Sequence, residues 1–504
     1  MEDLPELNER YEKNIQGQLS CFDRIILYGT FGNIAYPDAM AWELKQADCK
    51  LIDYTKSFAN ELRLQVRDQV EDLAARESIA IEHVKMQERK ESLITRVLKQ
   101  RGEHTGIVHI ISAMERCSCF KVGKNYKTGF LQLQWDIGKC LHYYIYFIDE
   151  EFGLCYMRIP TWAPCRLQVY LNGHNWLARQ MQKAGIDFSQ LDNCFVDISD
   201  YEKAQEIADS FDPQRLHECL NDYAKRFCAC YLRWPAVHWS ISQIEYATDI
   251  VFKSTQILPT LYKELVRGAV NEVEAADVYR FMGKRLTKAS ANEVSSRLNT
   301  YVEGTRLKHT LGHSSIKVYD KQDRVLRIET TTSNIHFFKH RRKVAKRDGT
   351  IEMKTAAVKK TVHSLGVLRE LMSACNRRYY QYISQLQDQT KGRRTLDNLS
   401  KSVSDPQGRS YRGINFFETN DLKFIQALVR GEHTISGFTN RILQRYIPDW
   451  TSGKISRMIR RFKAHRLIKR VKQTYKYYLT KRAKSLLFAH LQLTNRVIIP
   501  ALAK

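Results

Sequence analysis

The chain has 504 residues, 43% of them hydrophobic, which is enough for a substantial core and too apolar for a disordered protein. Lysine and arginine outnumber the acids 80 to 55, for a formal charge of +25 and a pI near 9.5; that excess points to a polyanion, with nucleic acid ahead of an acidic membrane. No run approaches the ~18 apolar residues of a spanning helix, and MEDLPELNER at the start is acidic, so a cytoplasmic protein with no membrane partner and with reduced cysteines is expected.

Residues 1–138 predict an α/β module of unassigned role. The strand-like FDRIILYGTFG is followed by helix-favouring SFANELRLQVRDQVEDLAAR and MQERKESLITRVLKQRG, then by the strand GIVHIIS. Cys117/Cys119 and, further on, Cys228/Cys230 have one-residue spacers. Structural zinc usually takes two-residue spacers and a second matching pair, so ordinary buried thiols are expected instead.

Residues 139–387 predict a central α+β domain built on a mixed or antiparallel sheet. KCLHYYIYFID, GLCYMRI and CRLQVYLNG are rich in aromatic and β-branched residues. In NGHNW (172–176) a turn leads into a helix, and capping accounts for it. NCFVDIS is a strand, Asp200 opens a helix, and Asp212-Pro213 opens another. HWSISQIEYATDIVFKS alternates over a long span, with Glu245 opposite Ile244 and Tyr246. A helix over LPTLYKELVRGAVNEV and a loop-rich basic stretch follow.

SSIKVYDKQDRVLRIETTT (314–332) then alternates on both sides of a polar turn. Ile316, Val318, Leu326 and Ile328 share one face, while Lys317, Tyr319, Lys321, Arg327 and Glu329 share the other. This predicts an antiparallel hairpin, and Asp348-Gly349 predicts a second one beyond it. Cross-strand neighbours lie ~5 Å apart, so the polar face brings together a phenol, cations and a carboxylate. Glu245 and Asp249, four apart on one strand, face the same way. Such a set suits phosphodiester cleavage, with Tyr319 as nucleophile and Lys317, Lys321 and Arg327 offsetting phosphate charge. Glu245, Asp249 and Glu329 would be ligands for Mg²⁺ or Mn²⁺. A solvated face with cross-strand ion pairs is the plainer alternative. His336/His340 and His309/His313 share a four-residue spacing, without the general-base glutamate of a helical zinc motif; solvated or phosphate-facing roles are expected. Tyr379, Tyr380 and Tyr382 are expected to pack along a helix.

KVYDK followed by LRIE, with QIEYATDIVF upstream, resembles the motifs of plasmid and phage rolling-circle replication initiators, over about 150 residues within 238–385. The resemblance implies that Tyr319 nicks DNA and becomes joined to a 5′ phosphate, with Glu245, Asp249 and Glu329 holding the metal. The His-x-His pair of the larger relaxase group is absent from this sequence.

Residues 388–413 are polar and predict a linker. From 414 the predicted order is helix (NDLKFIQALVRG), helix (ISGFTNRILQRYI), basic helix from Thr451 or Ser452, two short strands (IKRVK, YKYYLT) and a final helix. This order resembles the winged helix-turn-helix modules of MarR-like transcription factors, which implies duplex binding with 452–466 in the major groove. Lys454, Arg457, Arg460, Arg461 and Lys463 would be divided between bases and phosphates, with Lys472 and Lys476 on the wing.

The sequence thus predicts a mobile-element or plasmid-type DNA-binding protein that locates double-stranded DNA through its C-terminus and nicks a single strand in its central domain. Two alternatives stand beside it. One is a non-catalytic winged-helix regulator; the other is an RNA- or single-strand-binding protein whose HYYIYF strand stacks bases.

Overall fold

The computed structural model describes residues 6–502 except 86–89, 103, 192, 230–236, 288–293, 302–303, 347, 387–395, 431, 434–436 and 472–473. The fold is of the α+β class, and the chain divides into two compact units, Met1–Gln387 and Asp388–Lys504.

The first unit is organised by one sheet. Its strands are β1 (Ile15–Phe31), β2 (Ile81–His83), β3 (Gly106–Lys124), β4 (Leu131–Asp149), β5 (Gly153–Pro160), β6 (Leu167–Asn172), β9 (Val237–Phe252), β10 (Val294–Tyr301), β11 (Gly304–Leu311), β12 (Ser314–Lys321) and β13 (Val325–Thr332). The order is β10-β11-β12-β13-β9-β1-β6-β5-β4-β3-β2, antiparallel throughout except for the parallel pair β2–β3. β1 lies between β9 and β6, in the middle. Residues 1–138 are therefore no separate module. β1 exposes few polar groups on either face, and its ladder hydrogen bonds are completed only by strands from much later in the chain.

A separate hairpin, β7 (Phe188–Leu191) and β8 (Cys194–Ile198), packs on the sheet through Cys194 and Val196 against Val251 and Val325. On the opposite face, helices Leu258–Glu272 and Leu365–Leu386 cover Ile250, Ile316, Val318, Leu326 and Ile328, all buried. Asn376 of the second helix ties that face together, donating to the Tyr246 carbonyl at 3.0 Å and accepting from Thr330 Oγ1 at 2.6 Å.

Three further expectations change. Between 273 and 313, where a loop was expected, Ala275–Phe281 is helical and β10 and β11 extend the sheet; Leu307 and Leu311 are buried, a short alternation masked by the charges around it. HYYIYF lies in β4, with His142, Tyr143, Tyr144, Tyr146 and Phe147 all buried, so these rings are not available to stack on bases. The polar stretch expected as a linker is in part folded. Val403–Ser404 pairs with Ser410–Tyr411, and Leu399 and Ile414 are buried in the core of the second unit.

That second unit contains helices Thr419–Leu428, Asn440–Tyr446, Ser452–Ala464 and Lys481–Leu493, with strands Ile468–Arg470 and Tyr477–Leu479 paired. Thr451 caps the third helix by accepting from the Lys454 amide. Ile455, Ile459 and Phe462 of that helix line the core with Phe424, Leu428 and Leu443. No helix among the described residues is long and apolar enough to cross a membrane.

Candidate functional site

The hairpin predicted at 314–332 forms with the expected register: Lys317 opposite Glu329 and Tyr319 opposite Arg327. Gln322 and Asp323 at its tip both have positive φ (57° and 56°), and Arg324 N donates to Lys321 O at 3.1 Å. With Lys321 paired to Val325, the turn comprises the three residues 322–324. β13 in turn sets Arg327 opposite Asp249 on β9, so the polar residues of three strands share one face.

That face is not solvated. Lys317, Glu245, Asp249, Arg327 and Glu329 are all buried, and Arg327 is 0% exposed. Two elements close over it. Gly173 opens the helix Gly173–Lys183, and any Cβ there would lie 2.0 Å from the Phe22 carbonyl oxygen; only glycine lets the helix start so near β1. Asn172 caps this helix by accepting from the His174 and Asn175 amides, and the His174 side chain is buried in the site. Asn193, at the β7–β8 turn, supplies the rest of the cover. Its carbonyl accepts from Arg327 Nη2 at 2.7 Å, its amide donates to Asp23 Oδ1 at 2.9 Å, and its Oδ1 accepts from Lys321.

Asp23 enters through a β-bulge. Phe22 pairs with Tyr246 and Ile25 with Ile244, so Asp23 and Arg24 together oppose Glu245 alone. A bulge adds a residue and re-aims a side chain, a device common beside functional sites. The result is a set of three buried carboxylates, Asp23, Glu245 and Glu329, with ligand oxygens all within 4.8 Å of one another.

Two clusters result. In the first, Arg327 donates to both oxygens of Asp249, at 2.6 Å each, and points Nη2 at His174 Nε2 at 2.9 Å. His174 Nδ1 lies 3.1 Å from Asp23 Oδ1. Arg327 outweighs burial and holds the Asp249 carboxyl down to about 2. Asp249, expected as a metal ligand, is thus committed to a bidentate ion pair, and Arg327, expected to face phosphate, is enclosed. A fully buried guanidinium requires a carboxylate opposite it.

In the second cluster Tyr319 Oη donates to Glu329 Oε2 at 2.6 Å, and Lys317 Nζ donates to Glu329 Oε1 and lies 3.8 Å from Glu245 Oε1. Burial works against the charged form of Glu329, but Lys317 outweighs it and holds that carboxyl below its ordinary range. The Tyr319 phenol is pushed well above 10 by burial and by the neighbouring Glu329 charge. Glu245 moves the other way, up to about 7, through burial and then the nearness of Glu329, with Lys317 and Arg24 only partly offsetting them. Lys321 reaches the rim through Asn193. The clusters together contain the predicted Tyr319, Lys317, Lys321, Arg327, Glu245, Asp249 and Glu329, and add Asp23, His174 and Asn193.

The shift at Glu245 gives a pH dependence. The unfolded chain loses this proton near 4.5 and the folded chain near 7, so the protonated form favours folding. Its contribution is complete below about pH 4.5 and is lost as pH rises through 7, by ~3 kcal/mol as an upper value. Glu245→Gln is expected to flatten the urea-denaturation midpoint over that window relative to the parent. Mn²⁺ at pH 7.5 should raise the parent's Tm and leave that of Glu245→Gln unmoved. Parallel pH curves for the two proteins would contradict the assignment.

The other candidates take structural places. Tyr379 is buried and its hydroxyl meets His309 Nε2 at 3.0 Å, Tyr380 bonds Asn8, and Tyr382 donates to the Glu272 carbonyl. His309 is buried, also bonding Ser296 at 2.7 Å, so it is not solvated as expected. His336 lies in a short 3-10 turn and His340 in a strand, so their helical spacing is not realised. Cys119 and Cys228 are buried free thiols and Cys117 is a half-buried one; Cys230 lies outside the described residues.

In the second unit Arg457, Arg460, Lys463 and Lys476 are exposed. Lys454 is half-buried, donating to Asn420 Oδ1 at 2.9 Å above the Trp450 ring. Lys472 lies outside the described residues. Arg461 departs from expectation: it is buried, paired through two 2.7 Å bonds with the fully buried Asp421, and donates to the carbonyls of Arg412 and Gly413. Its position three residues after Met458 puts it at the edge of the apolar stripe, where Asp421 receives it. Arg461→Leu is expected to lower the stability of this unit by about 3 kcal/mol, because it leaves Asp421 buried and unpaired. The calorimetric melt of the full chain reads this loss, and an unchanged melt would return Arg461 to the surface set.

Comparison with protein-family models, curated proteins and solved structures finds no match to this chain.

Proposed function

We propose that the first unit cleaves and joins a DNA strand through Tyr319, in the manner of a replication initiator, and that the second unit holds duplex DNA. The observation that carries the reading is the short contact between the Tyr319 phenol and a carboxylate kept ionised by Lys317, beside two further carboxylates. In the step proposed, Glu329 takes the phenol proton as Tyr319 Oη forms a bond to phosphorus. The bond from phosphorus to the 3′ oxygen breaks, and that oxygen leaves as a hydroxyl after taking a proton from water. The 5′ phosphate stays on the tyrosine.

Asp23, Glu245 and Glu329 offer an all-oxygen donor set that fits a hard divalent cation such as Mg²⁺ or Mn²⁺. The raised Glu245 carboxyl fits as well, since a cation favours the ionised form that burial, and after it the nearby Glu329, oppose. When bound, such an ion polarises phosphate oxygens. Lys317 already offsets part of this charge and would share Glu329 with the ion. Entry of a strand requires the cover made by Asn193 to open.

In the second unit the exposed Arg457, Arg460 and Lys463 on one helix, followed by a two-stranded hairpin bearing Lys476, support the winged helix-turn-helix reading and duplex binding. The test is incubation of the full chain with a labelled single-stranded oligonucleotide and Mn²⁺. Covalently labelled protein is the expected product. Uncut oligonucleotide with no labelled protein, across a series of sequences, would overturn the reading.

A further inference from the structure

Between Lys339 and Lys360 the sequence carries nine lysines and arginines against two acids, Asp348 and Glu352. The chain there folds as a hairpin, β14 (Lys339–Ala345) and β15 (Ile351–Ala357), whose strands, among the described residues, pair only with each other. Its base is fixed: Phe338 and Val358 are buried, Val358 N donates to Phe338 O at 3.0 Å, and His336 Nδ1 lies 3.0 Å from the Val358 carbonyl. Its tip is polar, with Gly349 at φ +83° and Asp348 accepting from the Thr350 amide. A two-stranded ribbon gains little stability on its own, and neither its length nor its charge serves the core described above.

The two faces of the ribbon differ. On one, Lys346 and Lys354 share a single carboxylate, Glu352, at 2.7 and 3.4 Å, and Arg342 donates to the Ala357 carbonyl, so each of these cations already has a partner within the ribbon. On the other, Lys339, Arg341 and Lys343 stand in a row opposite Ala357, Thr355 and Met353. All three are exposed, and no carboxylate among the described residues pairs with them. Ile351 and Met353, 67% and 50% exposed, share this face.

We propose that this ribbon is an arm that binds duplex DNA, with Lys339, Arg341 and Lys343 on phosphates and Met353 and Ile351 against the groove wall. Same-face residues of a strand recur every ~6.6 Å, so the three cations form a straight row suited to a phosphate backbone. A two-stranded ribbon fits a major groove about 12 Å wide. An acidic membrane would call for apolar residues at the tip, and the tip here is Asp348, Gly349 and Thr350. The arm is independent of the strand chemistry at Tyr319.

The test uses full-length Tyr319→Phe protein in EDTA, so that no cleavage enters, and compares it with the same protein carrying Lys339→Gln, Arg341→Gln and Lys343→Gln. Binding to a 30-base-pair duplex of random sequence is followed against salt. Each lost phosphate contact lowers the log–log salt slope by about 0.9, so a fall of 2 to 3 is expected, with binding at least about tenfold weaker at 150 mM salt. Circular dichroism melting should not change, since the three side chains are exposed. A Lys346→Gln/Lys354→Gln control should change the slope by less than about 1. An unchanged slope in the triple variant, an equal fall in the control, or a loss seen only with single strands or with phosphatidylserine vesicles overturns the proposal. A parent that binds no duplex at all overturns both this arm and the duplex role of the second unit, whatever Tyr319 does.

Discussion

Tyr319→Phe is expected to lower covalent attachment to a single-stranded oligonucleotide by at least about a thousandfold, because the substitution removes the one oxygen that can bond phosphorus. The fold should tolerate it. The ring stays in place, and Glu329 keeps Lys317 and the Thr331 hydroxyl, which donates at 3.1 Å. The stability cost is that of one hydrogen bond to a charged group, about 1.5–3 kcal/mol. Glu329→Gln makes the companion measurement: it keeps the phenol and removes its proton acceptor, so attachment should slow by roughly 10²–10⁴ and recover in part at higher pH. Labelled protein on a denaturing gel, timed over hours, gives both rates. Attachment that persists in Tyr319→Phe would remove Tyr319 from the chemistry. Tyr379 is not a ready substitute, being fully enclosed behind the sheet.

Arg327→Leu should cost about 3–5 kcal/mol in urea denaturation. The guanidinium is enclosed, and its loss strands the carboxylate of Asp249 and leaves Asp23 with His174 and Asn193 alone. Replacing both members, Arg327→Leu with Asp249→Leu, should recover most of that loss, since a buried pair and an apolar pair of similar volume differ little. The double variant would then be folded with the second cluster still in place. It would separate the structural role of the Arg327–Asp249 pair from the chemistry at Tyr319. A single variant that loses less than 1 kcal/mol would mean that water reaches this pair.

The hairpin at 314–332 was legible because its information is local. Alternation sets the faces, and the short polar segment 322–324 between two strands sets the turn, so the register of Lys317, Tyr319, Arg327 and Glu329 follows from sequence spacing alone. The alternation of β9 likewise placed Glu245 and Asp249 on one face, and the capped, amphipathic helices after 414 announced themselves by period and N-cap. Period does not report what lies above a face. The polar side of the hairpin could be read from the sequence as a solvated face or as a site for chemistry, and it is buried, because β7–β8 and the start of the helix at Gly173 cover it.

Asp23 shows the limit most clearly. It sits in an apolar run far from the hairpin, and its place beside Glu245 depends on β1 pairing with β9 across more than two hundred residues and on a bulge at that one point. His174 was explained by the cap at Asn172, which is real, yet the direction of its ring is set by how closely Gly173 lets the helix approach Phe22. Asp249 and Arg461 were assigned by charge and spacing to ligand and DNA-facing roles. Their partners, Arg327 and Asp421, come from other elements and draw them into buried pairs. The sequence by itself determined the excess of positive charge and those strands, helices and turns whose period is clear, since these depend on neighbours a few residues away; the helix at 275–281 and strands β10 and β11 were not among them. Only the tertiary structure decided which charges are enclosed and which carboxylates meet, because the energy of a buried charge depends on what the rest of the chain places against it.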